Sequence, residues 1–269
     1  MIRVQNLSKR FGAFTAVDGI SFEVAAGEIF AFLGPNGAGK TTTIKMLTTL
    51  LRASAGMIEL DGLRLGEGAT GSELRQARRR FGIVFQDPSL DAEQTALENM
   101  ELHGVLYGVP RALRRERSEQ LLRQFELWER RDSFVKTFSG GMKRRLEIAR
   151  GLLHTPRVLF LDEPTLGLDP QSRNQLWTHV KHLNQTEGTT VFLTTHYMDE
   201  ADRVAHRIAI MDHGKIAAQG TPAGLREQTG TDSLEAAFLA LTGSALRDEA
   251  AGSNDRLRQM ARVWSGNRR

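Results

Sequence analysis

Residues 29–42 read IFAFLGPNGAGKTT, and this stretch decides the fold. Five apolar residues run from Ile29 to Leu33 without alternation, the pattern of a short strand buried on both faces. Gly34-Pro35-Asn36-Gly37-Ala38-Gly39-Lys40-Thr41 follows, and a helical pattern then continues through Leu51. A strand, a glycine-rich turn and a helix in that order form a phosphate-binding loop. The glycines let successive backbone N–H groups converge on a phosphate at a helix N-terminus. Lys40 supplies a compact charge to the β- and γ-phosphates of a nucleotide, and the Thr41 hydroxyl can ligate Mg2+. Asn36, Gly37, Gly39 and Thr42 complete the cradle.

Working outward, VLFLDEP at 158–164 places Asp162 and Glu163 at the exit of a short apolar strand. Two adjacent acids there are costly unless cations or a metal face them. Asp162 can hold Mg2+ through water while Glu163 polarises an attacking water. Between these motifs, KTFSGGMKRRLEIARGLL at 136–153 opens a helix with Ser139-Gly140-Gly141. Ser139 can cap that helix, and the exposed N–H groups of Gly140 and Gly141 offer a second anion site. Gln86 follows the strand FGIVF, Asp169 lies in LGLDP, and His196 ends TTVFLTTH. Read singly, these three are a strand-end amide, a helix N-cap before Gln171 and a structural histidine.

Ser-Gly-Gly at a helix start, between the phosphate loop and the acidic strand, resembles the signature sequence of ABC-transporter ATPases. The resemblance covers roughly residues 1–243, with its motifs in the family's order. It implies an α/β P-loop NTPase of the ABC ATPase type, with a parallel-type core sheet, a small antiparallel β layer and a helical subdomain. It implies ATP and Mg2+ as ligands, Glu163, His196 and Gln86 as catalytic residues, and Thr41, Gln86 and Asp162 around the metal. Asp169 matches the family's inter-subunit aspartate and His196 its γ-phosphate switch histidine. Phe11 stands where the family usually stacks a tyrosine on adenine, keeping the π-face without the hydroxyl. The implied assembly is a homodimer that sandwiches ATP between the phosphate loop of one subunit and the signature of the other, beside a separate membrane-spanning permease. Met142 stands where glutamine is commoner in the family. With TTHYMDEADR at 194–203 and LEAAFLALTG at 234–243, it is similar to the antibiotic-efflux branch related to the daunorubicin-resistance exporters. The alternative is a soluble ABC-type ATPase acting on nucleic acid or ribosomes. DNA-repair members carry long coiled-coil insertions and translational members two cassettes, and neither feature is seen in this sequence.

Short β-branched and aromatic runs at 2–7, 20–24 and 57–60 predict the antiparallel layer, and strands at 81–85, 158–161, 191–194 and 207–211 are expected to extend the core sheet. Residues 212–220 read as a hairpin turn and return strand, and 87–156 as a mostly helical insertion. Among 269 residues, 40% are hydrophobic and 25% charged, which fits one globular nucleotide-binding domain over 1–243. The net charge is +4, but 244–269 alone holds six arginines against three acids, so a basic tail carries nearly all the excess. Nucleic acid is therefore not an expected partner. No apolar run approaches the roughly 20 residues of a membrane-crossing helix, and the N-terminus lacks an apolar signal core. A cytoplasmic protein, peripheral on the membrane through its permease, is expected.

Overall fold

The structure is a computed structural model that describes residues 1–66 and 69–243; the expected basic tail at 244–269 lies outside the described residues. Strands β1 (Ile2–Phe11) and β2 (Phe14–Val24) pair antiparallel. The chain then enters a second sheet through β3 (Ile29–Leu33) before β4 (Ala55–Leu60) and β5 (Leu63–Leu65) return to the first, whose order is β2-β1-β4-β5. The second sheet adds β6 (Phe81–Val84), β7 (Val158–Asp162), β8 (Thr190–Thr195), β9 (Arg207–Asp212) and β10 (Lys215–Gly220) in the order β10-β9-β3-β8-β7-β6. Its pairs are parallel except for β10 on β9. Every residue of β3, β7 and β8 is buried, which explains the missing polar alternation.

The period of two along β3 divides the interior. Phe30 and Phe32 face the antiparallel layer, where Phe22 approaches them with ring centroids 5.6 and 4.9 Å away, and Phe192 and Phe160 extend the aromatic cluster. Ile29, Ala31 and Leu33 face the other way, into the core shared with the helices. Those helices are α1 (Lys40–Leu47), α2 (Gly71–Arg78), α3 (Ala96–Leu106), α4 (Arg111–Gln124), α5 (Gly140–Leu152), α6 (Pro170–Glu187), α7 (Met198–Val204), α8 (Pro222–Thr229) and α9 (Leu234–Thr242). The helical insertion at 87–156 holds α3, α4 and α5, and its Met100, Leu122, Phe125 and Leu146 join the same buried cluster as Leu159 and Leu161 of β7. Among the described residues no helix is long and apolar enough to cross a membrane.

Three details depart from the sequence reading. Helix α1 stops at Leu47 and not at Leu51, because Thr49 takes a positive φ of 62° and the N–H groups of Leu50 and Leu51 turn back to the Lys45 carbonyl at 2.9 Å. Strands β1 and β2 run on to a tight hairpin at Gly12, pairing Phe11 with Phe14, and the three-residue β5 is too short to leave a periodic signal. The 212–220 hairpin is as expected: Asp212 pairs with Lys215 around His213 and Gly214, both at positive φ as a two-residue primed turn requires.

Where α3 and the end of α5 meet β6, the rings of His103, Tyr107 and His154 stack, with centroids 4.4 and 4.0 Å apart along the series. Nε2 of His154 bonds the Phe81 carbonyl at 3.0 Å. Nδ1 of His154 and Nε2 of His103 are buried without a hydrogen-bond partner among the described residues. Burial, reinforced by the nearby charge of Arg150, holds the His103 pKa down to about 3. Burial also holds His154 down to about 4, against the Phe81 bond. Both rings are neutral in the fold and gain protons near pH 6.5 in the unfolded chain, so their stabilisation is complete above pH 6.5 and is lost as pH falls toward those folded values. At pH 5 each costs about 2 kcal/mol. His154→Gln keeps an N–H for Phe81, and urea unfolding should show its stability difference between pH 7 and pH 5 smaller by that amount. An unchanged difference would contradict the assignment.

Candidate functional site

The parallel registers align four strand ends. Leu33 pairs with Thr195, Asp162 with Thr194, and Val84 with Leu161, so Gly34, His196, Glu163 and Gln86 emerge at one edge of the sheet. This carboxyl edge is where α/β sheets bind ligands. Gly39 has φ 105° and a Cβ there would lie 2.6 Å from the Ala16 carbonyl of β2, so only glycine lets the loop turn into α1. Lys40, 4% exposed, donates through Nζ to the Gly34 carbonyl at 2.7 Å and the Pro35 carbonyl at 3.2 Å. The same ammonium pairs with Glu163 Oε1 at 3.2 Å.

Asp162 is 1% exposed, and its Oδ1 accepts from Thr194 Oγ1 at 2.6 Å and from Thr41 Oγ1 at 3.1 Å. Burial pushes its pKa up, more than the two hydroxyls bring it down. Burial also favours a higher value for Glu163, but its bond to His196 and the Lys40 charge outweigh this and hold the carboxyl below its usual range. Adjacent acids are thus pushed apart in acidity, as divided roles require. Glu163 sits at φ 48°, an uncommon conformation for a non-glycine, and its N–H bonds both the carbonyl and the hydroxyl of Thr194 at 3.1 Å. The buried Asp162 carboxyl beside the Thr41 hydroxyl is a hard oxygen set of the kind Mg2+ takes.

His196 Nδ1 lies 2.9 Å from Glu163 Oε2. The ring also rests on Tyr197, with centroids 4.1 Å apart, and the Arg173 guanidinium lies over the Tyr197 ring at 4.5 Å. Arg173 Nε donates to the Leu168 carbonyl at 2.9 Å, so a packed path leads from Glu163 to the residue before Asp169. Asp169 caps α6, accepting from the N–H of Ser172 at 2.9 Å and from its hydroxyl at 2.6 Å, and these bonds lower its pKa.

A second cluster forms around Asp169. Ser139 caps α5, accepting from the Met142 N–H at 3.2 Å. Gly140 meets Leu168, and Gly141 packs so close to Ser172 that a Cβ would lie 2.5 Å from its hydroxyl. Phe11 lies at the tip of the β1–β2 hairpin, 49% exposed, with Lys9 Nζ 5.0 Å from its ring centroid. The structure therefore brings Lys40, Thr41, Asp162, Glu163 and His196 into direct contact and gathers Ser139, Gly140, Gly141 and Asp169 into a neighbouring set. Sequence reasoning missed Thr194, which orients Asp162, and Tyr197 and Arg173 behind His196. Thr194 had one available signal, a polar residue directly after the apolar run 191–193 in a wholly buried strand.

A buried lysine in a glycine loop, set against a divided acid pair at the carboxyl edge of a parallel sheet, defines a P-loop NTPase. Residues 17–166 match the ABC transporter family, and the chain belongs to it as an ATP-binding, ATP-hydrolysing subunit. The daunorubicin/doxorubicin resistance ATP-binding protein DrrA of Streptomyces peucetius is 47% identical over 233 residues, spanning 87% of this chain and 69% of that protein. The linearmycin resistance ATP-binding protein LnrL of Bacillus subtilis is 42% identical over 234 residues, spanning 87% and 73%. Among solved structures, an ATP-binding subunit of an ABC transporter aligns with TM-score 0.79 and 33% identity over 90% of this chain and 99% of that one. The dimeric cassette MJ0796, in a post-hydrolysis state with ADP and Pi, aligns with TM-score 0.74 and 28% identity over 82% and 98%.

Proposed function

We propose that two copies of the chain close around ATP and power a separate membrane-spanning exporter of a drug, antibiotic or other lipophilic compound. One observation supports the dimer: the chain has two glycine-flanked helix starts of the kind that can receive an anion, at Lys40 and at the Ser139 cap, each in its own cluster. In this reading Asn36, Gly37, Gly39, Lys40, Thr41 and Thr42 hold the phosphates and Phe11 stacks on the base. Ser139, Gly140 and Gly141 of the partner subunit receive the γ-phosphate, and Asp169 lies where the subunits meet. Asp162, Thr41 and Gln86 hold Mg2+, which when bound supplies positive charge to the phosphate oxygens. Glu163 takes the proton of the attacking water, and His196 orients Glu163 and the γ-phosphate.

Export is supported by relatives named for daunorubicin, doxorubicin and linearmycin resistance and for Nod factor export. The test is co-expression with a candidate multi-span membrane protein taken from the genes neighbouring this one. The two should copurify in detergent, and inverted membrane vesicles should accumulate a lipophilic cationic dye only with Mg·ATP. Failure to copurify, with pelleting on polysomes or DNA in its place, would favour the soluble-ATPase alternative.

A further inference from the structure

One face of α5 carries a buried polar group that the proposed chemistry does not use. Arg144 and Glu147, 5% and 2% exposed, pair at 3.0 Å. The Arg144 fork donates through Nη1 to the Phe85 carbonyl at 2.5 Å and through Nη2 to the Gln86 carbonyl at 2.9 Å. Glu147 accepts from the Ser89 N–H at 2.7 Å. One turn further on, Arg150 donates to the Ser89 carbonyl at 2.9 Å and also contacts the Ser89 hydroxyl. Three side chains at spacings of three residues thus hold the carbonyls of Phe85, Gln86 and Ser89 and the N–H of Ser89.

A buried ion pair is seldom a source of stability, since apolar residues of similar volume do as well. Burial pushes both Arg144 and Glu147 toward their neutral forms. Their geometry has a positional result in compensation. A planar guanidinium that bonds two successive carbonyls from separate nitrogens of one rigid fork fixes the two peptide units that those carbonyls belong to, relative to each other. Those two units, one joining Phe85 to Gln86 and the other Gln86 to Asp87, flank the Cα of Gln86, directly after β6. The same helix starts at the Ser139 cap, so the hydrogen bonds of Arg144 and Glu147 join the Gln86 backbone to the helix whose first turn that cap holds.

We infer that Arg144, Glu147 and Arg150 are positioning residues that lock the Gln86 loop to the helix beginning at Ser139, so that Gln86 is set for catalysis only when that helix is seated. This rests on the role proposed for Gln86. The locking itself is tested without it, by hydrogen exchange at the Ser89 amide.

The principal variant is Arg144→Met with Glu147→Met, which keeps volume and removes both charges together. It should melt within a few degrees of the parent, with Ser89 exchanging at least tenfold faster, kcat lowered about tenfold and KM for ATP changed less than twofold. In a Gln86→Ala background the same pair should lower kcat less than twofold further, because both changes act through one residue. Arg150→Met leaves the ion pair in place and provides the same readouts should the double variant not fold. Parental exchange at Ser89 in either folded variant would overturn the lock. Faster exchange with parental kcat would overturn its catalytic consequence, and an undiminished tenfold loss in the Gln86→Ala background would overturn the route through Gln86. If Gln86→Ala alone has parental kcat, the role proposed for Gln86 fails, and the Ser89 exchange rate still decides the lock.

Discussion

Replacing Glu163 with glutamine should lower ATP turnover by about 10²–10⁴-fold, the usual worth of a positioned general base, while leaving nucleotide binding intact. Glu163 is ionised at neutral pH, since the His196 bond and the Lys40 charge overcome its burial. It therefore has a vacant lone pair for a proton when water attacks. Glutamine has nearly the same shape and can accept a hydrogen bond from His196 or Lys40, but it cannot take the proton. The ammonium of Lys40 also loses a competitor, because its contacts with Gly34 and Pro35 remain while the carboxylate at 3.2 Å disappears. Binding to ATP phosphates should be as tight as in the parent or tighter. Since general-base catalysis acts in the transition state and phosphate contacts act in the ground state as well, the variant should hold Mg·ATP unhydrolysed in a dimer. Light scattering with single-turnover hydrolysis checks both halves. Turnover near the parental rate would remove Glu163 from the catalytic role.

What could be read from the sequence was local. The strand–glycine–helix unit at 29–42 declares itself because each residue acts on its immediate neighbours, and the same holds for the Ser139 and Asp169 caps and the turn at His213–Gly214. The apolar runs 29–33 of β3, 158–161 of β7 and 191–193 of β8 announce central strands, as burial on both faces leaves no polar alternation. What escaped was tertiary. Nothing near Asp162 in the chain announces Thr194, which reaches it from 32 residues away, and Arg144 meets the Phe85 carbonyl across 59 residues. Arg144, in the run KRR, has the composition of a solvated helix face, yet it is buried because the loop after β6 offers it two carbonyls. The early end of α1 follows from the left-handed backbone at Thr49, which helical periodicity does not report. The division of the two acids into a raised Asp162 and a lowered Glu163 likewise depends on partners brought together by the sheet.

The most direct test of the shared site mixes two damaged proteins. Lys40→Met removes the phosphate-facing cation and keeps most of the side-chain volume. Ser139→Arg places a bulky cation at the start of α5, in the cap that now accepts from the Met142 N–H. Each homodimer then has two defective sites. In a heterodimer one site collects both lesions, while the other combines Lys40 of one chain with Ser139 of its partner and is whole. With differently tagged chains to confirm subunit exchange, and Glu163→Gln in both to stop hydrolysis, the quantity to measure is ATP trapped after rapid gel filtration. Neither parent should retain nucleotide, and the exchanged heterodimer should retain about one ATP per dimer, the stoichiometry of a single intact site between two helix starts. Heterodimers that trap no more ATP than their parents would contradict the composite site and leave Ser139-Gly140-Gly141 a helix cap without a ligand.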